Sequence, residues 1–495
     1  MSIKALQDYT FTAKYARYQS DKKRRETYKE SVDRVRQMMH TKYADKDEEV
    51  HTMIDWAYDM MLKKRCLGSQ RALQFGGDPI FSHNARMYNC TVSYIDRIRF
   101  FQECMYMLLC GCGVGFSVQY RHINKLPNLI KEKSGKVKYT IPDNIEGWSD
   151  AVGILVSSYF QGETEFPDYQ GKEISFVFDK IRPKGSRISN GGKAPGPEPL
   201  KKALNNIKGV LDNALQRGNG RLKPIEAYDI VMHAADAVIS GGVRRSATIC
   251  LFSPEDQEMA TAKTGNWFTD NPQRGRSNNS ALLLRDKTTP EQFAELMKPV
   301  KEFGEPGFVW ADHEDFIVNP CVEIGMYPVD IETGLSGWQG CNLSTVNCAK
   351  VSSPEDFYDS VRAVTIIGTL QAGFTDFPYL GTTSEKIFRR ESLLGVSGTG
   401  WFEKPEICLD PEVQRKAAEL AKITNKHVAQ KIGIPQAARV TCVKPEGTAS
   451  CVLGTASGIH PHHAKRYIRR VQANKLEAIY NHFKGINSRA CEESV

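Results

Sequence analysis

From residue 20 to about 65 the chain reads as helix. Apolar side chains fall at Val35, Met38 and Met39, and again at Met53, Trp56 and Met60, the spacing of one helical face. A methionine-rich face of this kind predicts core packing. "FFQECMYMLLCGCGVGFSVQY" predicts a helix to about Leu109, a glycine-broken turn, and an alternating strand over "VGFSVQY". "EGWSDAVGILVSSYFQG" predicts a helix and "EISFVFDKI" a strand. The Gly/Pro-rich "RPKGSRISNGGKAPGPEPL" is too long for a simple connector, and long loops inside a domain are usually functional. "IEAYDIVMHAADAVIS" returns to helix and stops at Gly241–Gly242. Strands follow in "RRSATICLF", "SNNSALLL" and "EPGFVWA". "FYDSVRAVTIIGTLQAGF" and "PEVQRKAAELAKITNKHVAQKIGI" predict long helices, the second closed by Gly433. With no internal repeat, this unbroken alternation predicts one large α/β barrel or sheet rather than separate modules.

Composition adds little to that picture except its thiols. The 495 residues are 41% hydrophobic and 25% charged, as in ordinary globular proteins. A net charge of +8, from 66 basic and 58 acidic residues, suits anionic ligands and is no sign of a nucleic-acid binder. "DKKRRE" and "KRYIRR" read as solvated helix faces. No apolar leader opens the chain, and the longest apolar run is broken by glycines and too short to span a membrane. A cytoplasmic protein with no membrane partner is expected. Its thirteen cysteines are then not a secreted disulfide framework. No CxxC occurs, which disfavours a thiol oxidoreductase of the usual kind, and the histidines of "GIHPHHAKRY" do not complete a zinc spacing with Cys451. No metal site is expected.

Three cysteines have polar settings: Cys90 in "MYNCTVS", Cys321 in "NPCVEI" and Cys341 in "GWQGCNLST". Cys104, Cys110, Cys250, Cys408 and Cys442 read as packing residues, since cysteine is among the most buried residue types. Pro320 biases Asn319 toward extended backbone, and in an extended segment Asn319, Cys321 and Glu323 would share a face. In "VKPEGTAS", a Pro-Glu-Gly turn followed by hydroxyls offers backbone N–H groups suited to a phosphate, although many turns read this way.

These fragments together resemble the catalytic subunit of ribonucleotide reductases, most closely the small adenosylcobalamin-dependent, class II kind. "MYNC", "GCGVGFS", "KIRPKGSRISNGG", "GGVRRSA", "SNNSA", "GEPGFVW", "NPCVEI", "GCNLS" and "PEGTAS" occur in the family's order between about residues 60 and 470. The resemblance implies a ten-stranded α/β barrel with a central finger loop. The organisation it implies is an N-terminal helical region over 1–65, the barrel over 66–470 with an effector-loop region at about 140–245, and a C-terminal segment over 471–495. It implies that Cys321 carries a thiyl radical sheltered in the barrel and takes the 3′ hydrogen of a ribonucleotide. Glu323 would take the 3′-hydroxyl proton, and Asn319 would hold the ribose. Cys90 and Cys341 would give two electrons and become a disulfide as the 2′-hydroxyl leaves as water.

By the same likeness, Gly447, Thr448, Ala449 and Ser450 would cradle the substrate phosphates. Ser186, Arg187, Ile188, Ser189, Asn190, Gly191, Gly192 and Lys193 would form the effector loop, with "IEGWSDA" as its companion, for a deoxynucleoside triphosphate. The cofactor implied is adenosylcobalamin, with a thioredoxin-like dithiol as reductant and a homodimer among the family's assemblies. The alternatives are a class I subunit fed its radical by a separate metal-containing subunit, and an inactive nucleotide-binding relative. Substrate could be a diphosphate or a triphosphate, the latter preferred. Family members usually end in a cysteine pair, whereas this chain carries Cys491 alone near its end, so a missing C-terminal portion is expected. No separate ATP-binding activity domain is expected at the N-terminus.

Overall fold

Of the predicted strands, "EISFVFDKI" pairs apart as Glu173–Val177 with Lys136–Thr140, and the others join one curled sheet, seen here in a computed structural model that describes residues 3–131, 133–186, 188, 193–239, 247–468, 470, 471, 473, 475 and 478–493. Its eight strands are β1 (Cys66–Leu67), β2 (Cys90–Tyr94), β3 (Gly113–Ser117), β4 (Thr248–Phe252), β5 (Ser277–Leu284), β6 (Gly307–Ala311), β7 (Gln339–Asn347) and β8 (Leu394–Thr399). Their order is β6-β5-β4-β3-β2-β7-β8, with β1 also on β7. Every neighbour from β6 to β2 is parallel, and so are β7 and β8. The two parallel halves meet at an antiparallel seam between β2 and β7. Residues 439–442 extend the far edge: Val396 N–H donates to Val440 O (2.8 Å) and Cys442 N–H to Val396 O (3.0 Å). The outcome is a mixed α/β fold with a curled half-barrel sheet, in keeping with the α/β barrel that the resemblance implied, and eight of its strands lie among the described residues.

Side chains on the strands sort by the period of two. On β4, Cys250 and Phe252 face the large core built with the helices, whereas Ile249 and Leu251 face a second, smaller cluster inside the curl. Strands β2, β3 and β4 are therefore buried at every position, as a sheet covered on both faces requires. The outer cover includes helices Phe100–Leu109, Pro224–Ile239 and Pro354–Ala372. The inner cover is a short hairpin, Ile317–Val318 paired with Gly325–Met326, whose apolar side chains join Cys90, Val92, Tyr94 and Cys341 in the inner cluster.

Glycine makes room for that hairpin. On β3 the outward residues are Val114 and Phe116, and the inward ones begin with Gly113 and Gly115. A Cβ at Gly115 would stand 2.0 Å from the Val318 carbonyl oxygen, and one at Gly113 would stand 3.2 Å from Pro320 Cγ. No side chain fits there without moving the finger.

The N-terminal helices follow their sequence signals. Tyr28–Lys42 begins with a Thr27/Glu30 capping box and Glu48–Leu62 with an Asp47 cap. Val35, Met38, Met39 and Met60 are buried as expected, but Trp56 is 37% exposed. It sits one turn before Met60 yet on the rim of the apolar face, where a ring covers the edge of the core. Gly433 closes Pro411–Ile432 at φ 79, as anticipated.

Gly115→Val should cost about 1–3 kcal/mol, the usual range for overpacking, read as a lower denaturant midpoint. Gly209, whose Cβ would meet nothing within 4 Å, is the control expected to tolerate alanine.

Candidate active site

The finger turns tightly where the sequence suggested an extended row. Val322 N–H donates to Asn319 O (2.9 Å), closing a turn with Pro320 in its second position, the place proline favours. Val322 takes φ 66, a left-handed value unusual for a branched side chain. The three polar residues therefore do not line one face. Asn319 is fully buried, and its Nδ2 donates to Glu323 Oε2 (2.7 Å) while its Oδ1 accepts from Ile324 N–H (3.1 Å). Asn319 and Glu323 meet behind the turn, and Cys321 stands exposed at its tip. The half-barrel explains that exposure, because the described strands enclose the finger on one side only.

Cys90 and Cys341 are direct cross-strand partners on the antiparallel seam, and both are buried. Directly opposed residues on such a pair have Cα atoms about 4.5–5.5 Å apart, within the range a disulfide spans. The two thiols can thus give up two electrons together. Burial, then Cys90, Glu323 and Cys442, push the Cys341 thiol well above its usual range. Cys90 also lies against the finger: a Cβ on Gly113 would touch Cys90 Sγ at 3.4 Å as well as Pro320.

Two residues near these thiols were missed from the sequence. Cys442, read as packing, is half-buried, borders the inner cluster, and has its thiol pushed up to about 12, chiefly by burial. Lys444 is buried, forms an ion pair with Glu446 (2.9 Å) and donates from Nζ to Ser344 O on β7 (3.2 Å). A buried lysine has to find such partners, and the adjacent "KPEG" gave the only hint of it. Next in the chain, Glu446 at φ 54 leads into the short helix Gly447–Leu453. Gly447 is exposed, Thr448 half-buried, and Ala449 and Ser450 buried. Ser450 N–H donates back to Glu446 O, which leaves the amides of 447–449 at the helix start, where no intrahelical acceptor exists.

A cavity of about 340 Å³ lies against the ends of the helices Phe100–Leu109 and Pro224–Ile239. His83, Arg86, Glu146, Trp148, Arg182 and Ile188 are among its lining residues. Arg182 Nε pairs with Asp143 (2.6 Å), and His83 Nδ1 lies 3.3 Å from Glu146. The loop before it closes through Ala194 N–H to Ser186 O (2.7 Å), and Lys193 is exposed. The cavity thus places Ile188 beside Ile145, Glu146 and Trp148. Arg187, Ser189, Asn190, Gly191 and Gly192 lie outside the described residues, as does "GGVRRS" at 241–246.

A family model described as "B12-dependent ribonucleotide reductase, insertion domain" matches residues 119–211. An adenosylcobalamin-dependent ribonucleoside-triphosphate reductase of Lactobacillus delbrueckii subsp. bulgaricus is 26% identical over 441 residues, covering 74% of this chain. The chain is similar to the adenosylcobalamin-dependent ribonucleotide reductases. A protein of the same description from Lacticaseibacillus paracasei is 27% identical, again over 74% of this chain. The crystal structure of a B12-dependent, class II ribonucleotide reductase superposes with a TM-score of 0.76 at 22% identity, covering 92% of this chain and 75% of that one, and so shares its fold. The chain spans about 57% of the length of the curated reductases it matches.

Brief treatment of the folded protein with iodoacetamide at pH 8 should label Cys321 well before Cys341 or Cys442. Their raised pKa values mean that the folded state holds these protons more tightly than the unfolded state. The stability they contribute is present below about pH 8.5 and is lost as pH rises toward 12. Labelling of Cys442, followed by mass spectrometry, should accordingly climb across that window.

Proposed function

We propose that this chain reduces ribonucleotides to 2′-deoxyribonucleotides by thiyl-radical chemistry, within the organisation 1–65, 66–470 and 471–495. The observation that carries the reading is the convergence of three thiols and a carboxylate. Cys90 and Cys341 oppose each other on the seam, and the finger that bears Cys321 and Glu323 packs into the same inner cluster. A row of unrelated packing cysteines would not be expected to bring a hydrogen-bonded amide and carboxylate with it.

In this reading the Cys321 sulfur takes the 3′ hydrogen of the bound ribose. Glu323, aimed by Asn319, accepts the 3′-hydroxyl proton. The 2′-hydroxyl leaves as water with a proton from the Cys90/Cys341 pair, and these two thiols supply the two electrons and close a disulfide. Ribonucleotide and dithiol thus become deoxyribonucleotide, disulfide and water. The high proton affinity of Cys341 suits a thiol that must deliver a proton. At the end of each turnover Cys321 recovers its hydrogen-free state, and an external dithiol of the thioredoxin kind reduces the disulfide.

Adenosylcobalamin, when bound, supplies the radical that oxidises the Cys321 sulfur. The exposed tip fits such a group, since a reagent can meet Cys321 directly without a relay of side chains. Cys321 and Val322 would present the surface it covers, Val322 being 46% exposed. Shelter for the radical must then come from the molecules bound over the finger. Gly447, Thr448, Ala449 and Ser450 would receive the substrate triphosphate, beside the Lys444 ammonium. The 340 Å³ cavity would take a deoxynucleoside triphosphate effector, with Arg86 and Arg182 as its cationic residues and the 186–193 loop carrying the signal. We assign the protein to the cytoplasm, with a homodimer as its assembly; no helix among the described residues is long and apolar enough to cross a membrane.

Incubation with adenosylcobalamin, a ribonucleoside triphosphate and dithiothreitol should yield the deoxynucleotide. Activity that appears only with an added metal-loaded subunit would move the radical source to a second protein. Cys321→Ser should abolish product while nucleotide binding and the thermal midpoint stay unchanged. Cys90→Ser should stop normal product formation yet leave radical formation at Cys321, seen by electron paramagnetic resonance. Arg182→Ala should weaken effector binding roughly tenfold, the loss of one charge-assisted contact, with little change at saturating effector.

A further inference from the structure

The finger is too short to fix itself. Its stem pairs only Ile317–Val318 with Gly325–Met326, and an isolated two-stranded hairpin is marginal in water. Val322 adds a left-handed residue at the tip. The depth and angle of the finger are therefore set from outside it. Just before the outgoing limb, Tyr94 OH donates to Asp315 O, and Gln119 Nε2 donates to Glu314 O (3.1 Å).

The return limb is held at Tyr327, on both of its backbone groups. Its N–H donates to Oε1 of Gln339, a fully buried side chain whose Nε2 has no partner among the described residues. Its carbonyl accepts from Arg390 Nη2 (3.0 Å), and Arg390 Nη1 donates to Val329 O. Arg390 Cζ also lies 5.8 Å from the Tyr327 ring centroid, and Glu391 pairs with the guanidinium (2.6 Å). A planar fork that spans two carbonyls and covers a ring fixes orientation as well as distance. Arg439 Nη1 adds a bond to Gly325 O (3.0 Å), but both partners are exposed and water competes for it.

Arg390 stands on the helix Gly381–Glu391, and that helix is seated on the start of β7 through glycine. A Cβ on Gly340 would stand 2.6 Å from the Phe388 ring, and one on Gly337 would stand 2.9 Å from Ile387 Cδ1. Ser384 Oγ accepts from Trp338 N–H (3.1 Å). The helix cannot shift without moving β7, where Cys341 follows Gly340. We infer that Arg390 is a positioning residue: it references the finger that carries Cys321 and Glu323 to the strand that carries Cys341, so that all three reach one bound ribose. The ribose rests on the reductase reading, whereas the hold on the finger rests on the contacts alone.

The test compares Arg390→Ala, Arg390→Lys and Lys386→Ala with wild type in the full chain. Lys386, one turn earlier on the same helix, pairs instead with exposed Glu332 (3.0 Å). Hydrogen exchange over 317–327 should quicken at least about threefold in Arg390→Ala, with exchange over β2 and β3 unchanged. In the adenosylcobalamin assay kcat should fall about tenfold or more, while KM for the ribonucleoside triphosphate stays within about twofold, because a reacting group has moved and the binding groups have not. Arg390→Lys keeps the charge as a single point and should recover part of each loss. Lys386→Ala should match wild type in both measurements. Wild-type exchange over 317–327 in Arg390→Ala, or protection lost equally across the whole molecule, would overturn the inference. If wild type itself makes no deoxynucleotide, the reductase reading fails and the exchange measurement still decides the hold on the finger. Should Arg390→Ala not fold, Arg390→Lys carries the same comparison.

Discussion

The site depends on bare backbone. A finger can lie against β3 only because Gly113 and Gly115 present no side chains inward, and the Val318 carbonyl occupies the space that a Cβ would need. That one omission sets the depth of the hairpin, and the hairpin's depth sets where the 319–322 turn falls relative to Cys90. Asn319 then fixes the turn from within by bonding both Glu323 and the Ile324 amide. A strand with ordinary inward side chains would leave the same catalytic residue types scattered at different heights.

The surrounding cluster tunes the chemistry through what it excludes. Ile249, Leu251, Leu282 and Val309 belong to the apolar wall whose burial pushes the Cys341 and Cys442 thiols up. Against that wall the Lys444–Glu446 pair is the local polar exception. It costs desolvation, and its geometry offsets part of that through the bond to Ser344 on the strand that carries Cys341. The 443–450 turn and strand β7 are thus tied to each other by one ammonium group.

Much of this was legible before the coordinates. "SNNSALLL" matches β5 to the residue, and the helices ending at Leu109 and Ile432 stopped where the glycine-broken turn and Gly433 indicated. Cys90, Cys321 and Cys341 were separable from the other thiols by their polar neighbours. What failed was inference across the Asn-Pro pair. Period-two logic assumed extended backbone, whereas Pro320 also suits the second position of a turn, and the turn prevailed because Asn319 could satisfy Ile324 from inside. Cys442 was illegible for another reason: a packing thiol and one that borders the inner cluster have the same local sequence, and only tertiary contact distinguishes them. The same holds for shelter around Cys321, which depends on how far a sheet curls rather than on any residue in the finger.

The seam between β2 and β7 has a consequence for how the molecule comes together. Cys90 and Cys341 are 251 residues apart in sequence, and each parallel half also needs helical crossovers before its own strands can pair. Loop closure over such a span rewards the chain only after both halves are largely in place. The Cys90/Cys341 pair is therefore assembled late during folding, and a newly made chain spends its early life with these two thiols on separate, unfinished sheets. Chaperones and reducing conditions matter most for this protein in that interval, before the seam has closed.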